Sequence, residues 1–468
     1  MQKNIFSEKK DLVNYAVSKA VQAGAEYAEA TLEHTRGEGY VMKEGKLDAP
    51  VSTDDIGLRI RFVKKGYIYS IYTNQPKKEL IENLLESNML LRGEGPTGME
   101  YGLERARAEY AIKYIAYDPK YVQKFLKDTD SEISKFKAIK SRYLSAEFST
   151  VSRYYGNSED TEIESVVPYA SGFASFTVEG SGSSRQRNIQ IGATKGINYF
   201  EESGLSEKIL EDSRNMKKVL ENGVNVSGRF DNVVISSEIA GIAVHESVGH
   251  PNEADRVLGR EAAQAGTSYV TPENLGLRIG SAAVTIYDDP TIKESFGFYL
   301  FDDEGVGARR RTIVENGLQK ELLHNRESAF LMKSSSNGSA RSDSVANEPI
   351  IRMANTYLAP GRAKFEELIE EARDGVYVKN FTEWNIDDTR SFSRYQGNEA
   401  YLIKNGRIGK PIKNFTLETK TLDFWGAVSM VDSELVLYAG TCGKGEPEQG
   451  VPVLMGGPDA LLRFKREV

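Results

Sequence analysis

Four histidines and a single cysteine are all the imidazole and thiol groups in this 468-residue chain. Two of the histidines stand together in "IAGIAVHESVGHPNEAD" (239–255), where His245 is followed at once by Glu246 and, five positions on, by His250. Two imidazoles with an adjacent carboxylate are what a catalytic zinc site uses: nitrogen ligands for the ion and a base for the water beside it. Paired zinc-binding histidines are usually four residues apart, which puts them about 40° apart around an α-helix, so both rings reach one ion. A spacing of five puts them about 140° apart on a regular helix, and one ion could not be shared. Two local remedies exist. A π-turn widens the helix and returns i and i+5 to one face. Alternatively the helix stops near Gly249 and His250 folds back from an extended position. Pro251 favours the second, because a residue before proline is pushed out of the α region.

A string with three fixed positions also arises by chance, so its surroundings carry weight. The preceding "IAGIAV" is small and apolar, as a helix packed tightly beneath a site would be. The following "PNEAD" offers Glu253 and Asp255 as acceptors for the outward ring N–H groups. His34 and His324 lie in ordinary strand and turn contexts. A third ligand is needed, and Cys442 sits in "ELVLYAGTCGKG", where a strand delivers it into a glycine-flanked loop that lets backbone approach something closely. Cys442 is either that ligand or a thiol without a role, and its position alone leaves both open.

The elements that must position these groups divide the chain. Its length exceeds what one hydrophobic core organises and favours two domains. Before residue 225, "SEKKDLVNYAVSKAVQAG" predicts a helix from a Ser7 cap to Gly24. Alternating Tyr- and Ile-rich segments with Gly turns then predict an antiparallel meander over 25–73. Further helices are expected at 77–92, 118–139 and 205–223, with strands between the last two. After residue 225 the chain favours short strands and Gly turns, with helices only over the His-Glu stretch and at "RAKFEELIEEARDG". The expected fold is therefore α+β: an N-terminal antiparallel sheet with flanking helices (1–225), and a C-terminal β-rich, barrel-like domain (226–468) carrying the metal-site helix. Asn316-Gly317 and Asn405-Gly406 predict two-residue hairpins, and "YVMKEGKLDAP" repeats their layout. The Ser/Asn/Gly-rich stretch 331–349 reads as a long loop, either functional or a surface excursion.

Composition narrows the classes of function. A net charge of −8 argues against a nucleic-acid binder working through a basic surface. Arg309, Arg310 and Arg311 read as a local strand face with acidic neighbours. No apolar run is long enough to span a membrane, the N-terminal stretch has no signal-like apolar core, and a lone cysteine fits a reducing compartment. The expectation is a cytoplasmic protein.

Five blocks occur in an order and spacing that resemble the TldD/TldE (PmbA) family of cytoplasmic metalloproteases, on the TldD-like side. They are "HESVGHPNEAD", "YDDPTIKESFGFYLFDDEGVGARRRTIVENGLQ", "PIIRMANTYLAPG", "NEAYLIKNGRIGKPIKN" and "TCGKGEPEQGVPVLMGGP". The resemblance implies one Zn2+ per chain, or another divalent ion, held by His245, His250 and Cys442. It implies Glu246 as general base and then as acid to the leaving amine. It also implies small unfolded peptides as substrates, among them modified peptide antibiotic precursors, and a dimer with a TldE/PmbA-like subunit or with itself. Pro251 departs from the glycine common at that position. Two further readings are a metal-binding but non-hydrolytic subunit and a metal-dependent amidohydrolase on a non-peptide amide. In the shared blocks, Asp302, Asp303 and Glu304 of "FDDEG" could hold a peptide N-terminus or orient a ligand, against simple turn chemistry. Arg352 and Asn355 could anchor a substrate backbone, or pair across a sheet.

Overall fold

The computed structural model describes residues 10–88, 94–114, 117–261 and 266–465. The expected Ser7 cap and residues 89–92 of the second predicted helix lie outside them. Helix α1 (Lys10–Gln22) is followed by Gly24 at φ +90, where a side chain is disfavoured. The strands β1 (Tyr27–Lys43), β2 (Val51–Lys64) and β3 (Tyr67–Thr73) then form the antiparallel meander. Gly37 does not turn the chain; β1 runs straight through it for 17 residues. A Cβ at Gly37 would stand 2.7 Å from Ser149 Cβ on the neighbouring strand, so this glycine serves close approach. The turns lie at Glu44-Gly45 and Lys65-Gly66, both residues of each pair having positive φ.

Helix α2 (Lys78–Asn88) and helix α3 (Pro119–Ile133) lead to the long strands β4 (Ile139–Asn157), β5 (Glu162–Gly180) and β6 (Ser183–Ala193), and then to helix α4 (Leu205–Asn222). The first sheet runs β3-β2-β1-β4-β5, continues to the short strand Arg107–Ala111, and carries β6 paired to β5. Its two faces follow from the period of two. Along β1, Ala28, Ala30 and Leu32 pack into the core beside α1 and α2. Glu29, Thr31 and Glu33 point the other way and are buried too. The later half of the chain covers them: Arg61 of β2 bridges Glu29 (2.5 Å) and Glu304 (3.0 Å), and Arg59 donates to Ser342 Oγ (3.0 Å).

From residue 232 onward two sheets enclose one helix. The second sheet is built on β7 (Asn232–Ile235), with the strands that follow in the chain numbered in order: β8 (Ile286–Asp288), β9 (Arg311–Glu315), β10 (Asn355–Leu358), β11 (Gly375–Ile386), β12 (Phe392–Lys404), β13 (Arg407–Lys413), β14 (Val428–Val431), β15 (Val436–Lys444), β16 (Gln449–Gly457) and β17 (Ala460–Arg463). The second sheet runs β14-β17-β7-β11-β12-β13 to Val224–Asn225; the third runs from Leu318–Gln319 through β9-β8-β10-β16 to β15. The mixed α+β class and the β-rich later half are as the sequence predicts. The hairpins at Asn316-Gly317 and Asn405-Gly406 form, with positive φ at all four residues. Two seven-residue helices, Arg326–Met332 and Thr421–Ala427, were not expected. The first is closed by a capping box in which Asn325 and Ser328 exchange side-chain and backbone hydrogen bonds.

The loop 331–349 is not a surface excursion. Asn337, Ser339, Arg341 and Ser342 are buried. Ser342 donates to Asp303 through N and Oγ (both 2.7 Å), and Asn337 Nδ2 donates to the carbonyl of Leu322 (2.7 Å). Its polar composition supplies the hydrogen bonds that a buried irregular backbone requires. The arginine cluster is local, as expected: Arg309 pairs with Glu321, Arg310 lies over the Tyr287 ring, and Arg311 is buried against Asp288.

Candidate metal centre

Helix α5 (Ser237–Val244) fills the space between the second and third sheets, packing on β11 of one and β10, β15 and β16 of the other. It begins at Ser236, whose side chain caps Ile239 N, while Asp459 accepts from Ser237 N (2.7 Å). Its residues from Ile239 to Val244 are all buried, which explains the apolar "IAGIAV". A Cβ on Gly241 would meet Gly456 Cα at 2.8 Å, so the helix lies directly on the β16 backbone.

At His245 the helix widens into a π-turn, His245–Gly249, and the His250 N–H donates to the His245 carbonyl five residues back. The first of the two remedies is therefore the one adopted. His250 stays helical (φ −56, ψ −43) although proline follows, and Pro251 opens a 3-10 turn in which its missing N–H is not needed. The His250 backbone is hydrogen-bonded on both sides, its N–H to the His245 carbonyl and its carbonyl from the Glu253 N–H (3.1 Å), and its ring meets Glu253 and Cys442. Gly249 serves packing: a Cβ there would lie 1.9 Å from Met353 Sδ. The turn is also fixed from outside, since Ser247 accepts from Trp425 Nε1 (2.9 Å) and its carbonyl from the Tyr269 hydroxyl (2.8 Å).

The widened turn brings the two rings to 4.9 Å between centroids, nearly perpendicular (84°). Cys442, 192 residues further on in β15, meets them: Sγ lies 3.4 Å from His250 Nε2, and one donor atom from each of His245, His250 and Cys442 lies within 4.8 Å of the others. Nitrogen and sulfur donors at 2.0–2.3 Å from a tetrahedral ion would stand about 3.5 Å apart, the separation of the Cys442–His250 pair, so the three residues are a donor set that could hold a metal ion. All three residues are buried, and His245 Nδ1 has no hydrogen-bond partner. Burial opposes ionisation of the thiol, but the two histidines and Arg352 outweigh it and hold the Cys442 thiol well below its usual range. Burial pushes His250 well down; His245 is also disfavoured by burial, but the Cys442 thiolate raises it. A thiolate beside a neutral imidazole is the ligand form that metal binding requires.

The polar surroundings orient these groups. His250 Nδ1 meets Glu253 Oε2 at 2.9 Å. Asp255 touches neither ring; it binds Lys444 Nζ (2.8 Å), as do Glu253 (3.1 Å) and Glu261 (3.4 Å), all around a fully buried ammonium. Arg352 is completely buried and donates to the Cys442 carbonyl and to the Gln449 carbonyl (2.9 Å). It positions the cysteine strand and does not face an open site. Asn355 is likewise occupied, by the Asp289 carbonyl (2.6 Å) and Ser295 Oγ (2.9 Å). Asp302 accepts from the backbone of Glu304, Val306 and Ala340, which is turn chemistry, and Asp303 binds Arg153 and Ser342. Both line a smaller cavity of about 360 Å3, apart from the histidines, so the expected substrate contacts of Asp302, Asp303, Arg352 and Asn355 are not made at this centre.

The histidine–cysteine cluster opens on a cavity of about 1290 Å3, walled by α5, β6, β11 and β15. Glu246 lines it, and an ion pair joins its carboxylate to Arg390. Arg390 and Lys444 escaped sequence reasoning. Lys444 could have been found, since it sits two residues beyond Cys442 on the same strand face; Arg390, in "DDTRSFS", carries no signal.

This arrangement coincides with sequence-level matches. The family description "PmbA/TldA metallopeptidase C-terminal domain" fits residues 227–463, and "PmbA/TldA metallopeptidase domain 1" fits residues 28–89. The chain belongs to the PmbA/TldA metallopeptidase family. Across 95% of both chains it is 30% identical to a protein of Methanothermobacter thermautotrophicus named metalloprotease. Over about half of each chain (49% and 50%) it is 31% identical to a zinc metalloprotease TldD homolog of Saccharolobus solfataricus. Within the same family fold, the crystal structure of TldE from Thermococcus kodakarensis superposes with a TM-score of 0.77 over 97% of this chain and 99% of that one, at 15% identity. Among the described residues no helix is long and apolar enough to cross a membrane.

Proposed function

We propose that this chain is a zinc-dependent peptidase of the TldD type that cleaves small unfolded peptides, with His245, His250 and Cys442 as ligands and Glu246 as the proton carrier. The observation that carries this reading is the π-turn. It turns an unworkable five-residue spacing into two converging imidazoles, aims them at a thiolate from a distant strand, and leaves a carboxylate beside them on a peptide-sized cavity. A purely structural helix has no use for that distortion, and a non-hydrolytic metal carrier has no use for Glu246. Naming of relatives as metalloproteases agrees with it.

In the mechanism, the bound ion would supply Lewis-acid polarisation of the scissile carbonyl and acidify a water molecule. The chain's own residues do the rest. The Glu246 carboxylate takes a proton from the attacking water and passes it to the leaving amine, so no net proton is consumed. Glu253 fixes the His250 ring through Nδ1, leaving Nε2 for the ion. Arg352 holds the Cys442 backbone, and Lys444 holds Glu253. Substrate binding is assigned to strand edges. β15 is the last strand of its sheet, and β6 pairs only with β5 among the described residues; both line the cavity. They are bridged at one point, where Gln190 donates to Thr441 (2.8 Å). An extended peptide added to such an edge is held by main-chain hydrogen bonds, with weak demands on side chains.

Residues 1–225 are proposed to supply the β6 wall and residues 226–468 the metal centre, in a dimer with a TldE-like chain or with itself. The test is metal analysis with a peptide-cleavage assay on the purified chain, alone and with any co-purifying partner. Glu246→Gln should retain zinc and lose about a thousandfold in cleavage rate; full activity in that variant removes the general-base role. Cys442→Ser should release most of the metal, and full occupancy would mean another third ligand.

A further inference from the structure

Eleven non-glycine residues among those described have a positive φ. Ten of them stand exposed at turns; the eleventh, Arg390 (φ +59), is buried. A buried, long side chain on a left-handed backbone is unusual, and such conformations persist where surrounding structure enforces them, often at active sites. Here the enforcement is visible. Arg390 lies in the connection between β11 and β12. Its N–H donates to the Asp387 carbonyl (2.9 Å), and its carbonyl accepts from Thr421 Oγ1 (2.6 Å). The Thr421 N–H also holds the Ser391 carbonyl (2.8 Å), and Tyr269 N–H holds the Thr389 carbonyl (3.0 Å).

The same supports hold the π-turn. Tyr269 reaches the Ser247 carbonyl with its hydroxyl, and the short helix that begins at Thr421 carries Trp425, which reaches Ser247 Oγ. The Arg390 loop and the His245–Gly249 turn are therefore locked to each other through two shared residues or elements. Across the gap between them, one guanidinium nitrogen of Arg390 binds the Glu246 carboxylate and lies 3.4 Å from the Glu246 carbonyl. Both side chains line the cavity that exposes the three metal-donor residues.

We infer that Arg390 is a positioning residue that fixes the Glu246 carboxylate beside the histidine pair, its strained backbone being the means by which a rigid cation reaches that point. The inference rests on Glu246 as the proton carrier. A glutamate has three rotatable side-chain bonds, and proton transfer needs its oxygen within hydrogen-bond reach of the water it serves. The buried guanidinium removes that freedom with a directional, charge-assisted hydrogen bond. A lysine, presenting one point charge, would reproduce the attraction and only part of the orientation.

The test uses the zinc-loaded full-length chain, with any partner that co-purifies, and compares the parent with Arg390→Ala and Arg390→Lys. In Arg390→Ala, kcat should fall about a hundredfold, with KM within about threefold and zinc content unchanged; Arg390→Lys should recover part of the loss. Added guanidinium ion should restore kcat of Arg390→Ala about tenfold or more and leave Glu246→Gln unaffected, a response that a folding defect would not give. A kcat for Arg390→Ala within about threefold of the parent overturns the inference, as does a loss that follows zinc content and does not respond to guanidinium. Crystal structures of parent and Arg390→Ala give a readout independent of activity: the Glu246 carboxylate should rotate away from the histidines, and an unmoved carboxylate overturns the inference. If the parent itself cleaves no peptide, the peptidase reading falls, while the position of Glu246 still decides the role of Arg390.

Discussion

Two of the buried polar clusters in this molecule face voids of very different size, about 360 Å3 beside one and about 1290 Å3 beside the other. The first is the seam between the first sheet and the later half of the chain. There Arg61 binds Glu29, Glu304 and Glu348; Tyr27 and Tyr155 reach Glu29 (2.7 and 2.9 Å); and Arg326 binds Tyr27, Glu159 (2.7 Å) and the Glu100 carbonyl (2.8 Å). The second is the metal cluster. Both are built from groups that rarely sit inside proteins unpaired. The seam matches each cation to anions, with only Glu348 Oε2 among its carboxylate oxygens left without a hydrogen bond. The metal cluster leaves the His245 Nδ1 atom unpartnered, holds a thiolate against two imidazoles, and opens on the larger cavity. Burial of charge alone therefore does not mark function. A polar set made of metal-donor types, two imidazoles and a thiol held together beside a large cavity, does so better.

That contrast can be broken most forcefully in the seam. Arg61 is 2% exposed, and its loss strands Glu29 and Glu304 in the interior. Arg61→Met should cost roughly 3–5 kcal/mol of stability, read from the denaturant midpoint, with zinc bound per folded molecule unchanged. Adding Glu304→Gln to it should regain part of the loss, since one stranded charge is then removed. If Arg61→Met empties the metal site of still-folded protein, the two clusters are not separate.

A second, somewhat smaller effect belongs to neither cluster and calibrates both. Burial pushes His324 down to about 4, with its ring held at 3.0 Å by Ser328 Oγ. In the unfolded chain a histidine titrates near 6.5, so between these values the unfolded state binds more protons. The neutral ring's contribution is complete above about pH 6.5 and is lost as pH falls toward 4, to the extent of about 3 kcal/mol. His324→Gln should flatten stability across that window while leaving stability above pH 7 lower by a hydrogen bond or less. An unchanged slope would assign the acid sensitivity to other groups.

Legibility in the sequence followed how local each cause is. The α1 helix, the meander and the Asn-Gly hairpins depend on neighbours a few residues away, and they appear where pattern and turn chemistry predict them. The close approach at Gly37 was not legible because its partner, Ser149, is on a strand more than a hundred residues later. The two seven-residue helices are too short for their period to show. At the metal centre, His245, Glu246 and His250 were visible as types and spacing, and Cys442 as a thiol in an odd setting. The choice between a widened turn and a broken one was not, because Pro251 argues for the break on local grounds. The contacts of the widened turn, Met353 against Gly249 and Glu253 and Cys442 against the His250 ring, come from packing that local sequence does not display. Arg352 and Asn355 show the converse error: polar residues in a shared block look like substrate contacts until their partners are seen.

Glu253 is the sharpest discriminator between the clusters, although its expected effect is the smallest. It is fully buried and touches both kinds of partner, the His250 ring at 2.9 Å and the Lys444 ammonium at 3.1 Å. If it works as the seam carboxylates do, its neutralisation should strike stability first. If it works as an orienting acceptor for a ligand, it should strike metal affinity first. When Glu253 is neutralised Lys444 keeps Asp255 and Glu261, and Arg256, 3.9 Å from the Glu253 carboxylate, keeps the Thr267 carbonyl, whereas among the described residues His250 Nδ1 has no other hydrogen-bond partner to set its ring. Glu253→Gln preserves the shape and one acceptor oxygen but removes the charge. Zinc affinity, measured by competition with a chelator, should therefore fall about 10- to 100-fold, while the unfolding midpoint of the metal-free protein shifts less than in Arg61→Met. The reverse ranking, with affinity held and stability lost, would place Glu253 with the seam and leave the orientation of His250 to the π-turn alone.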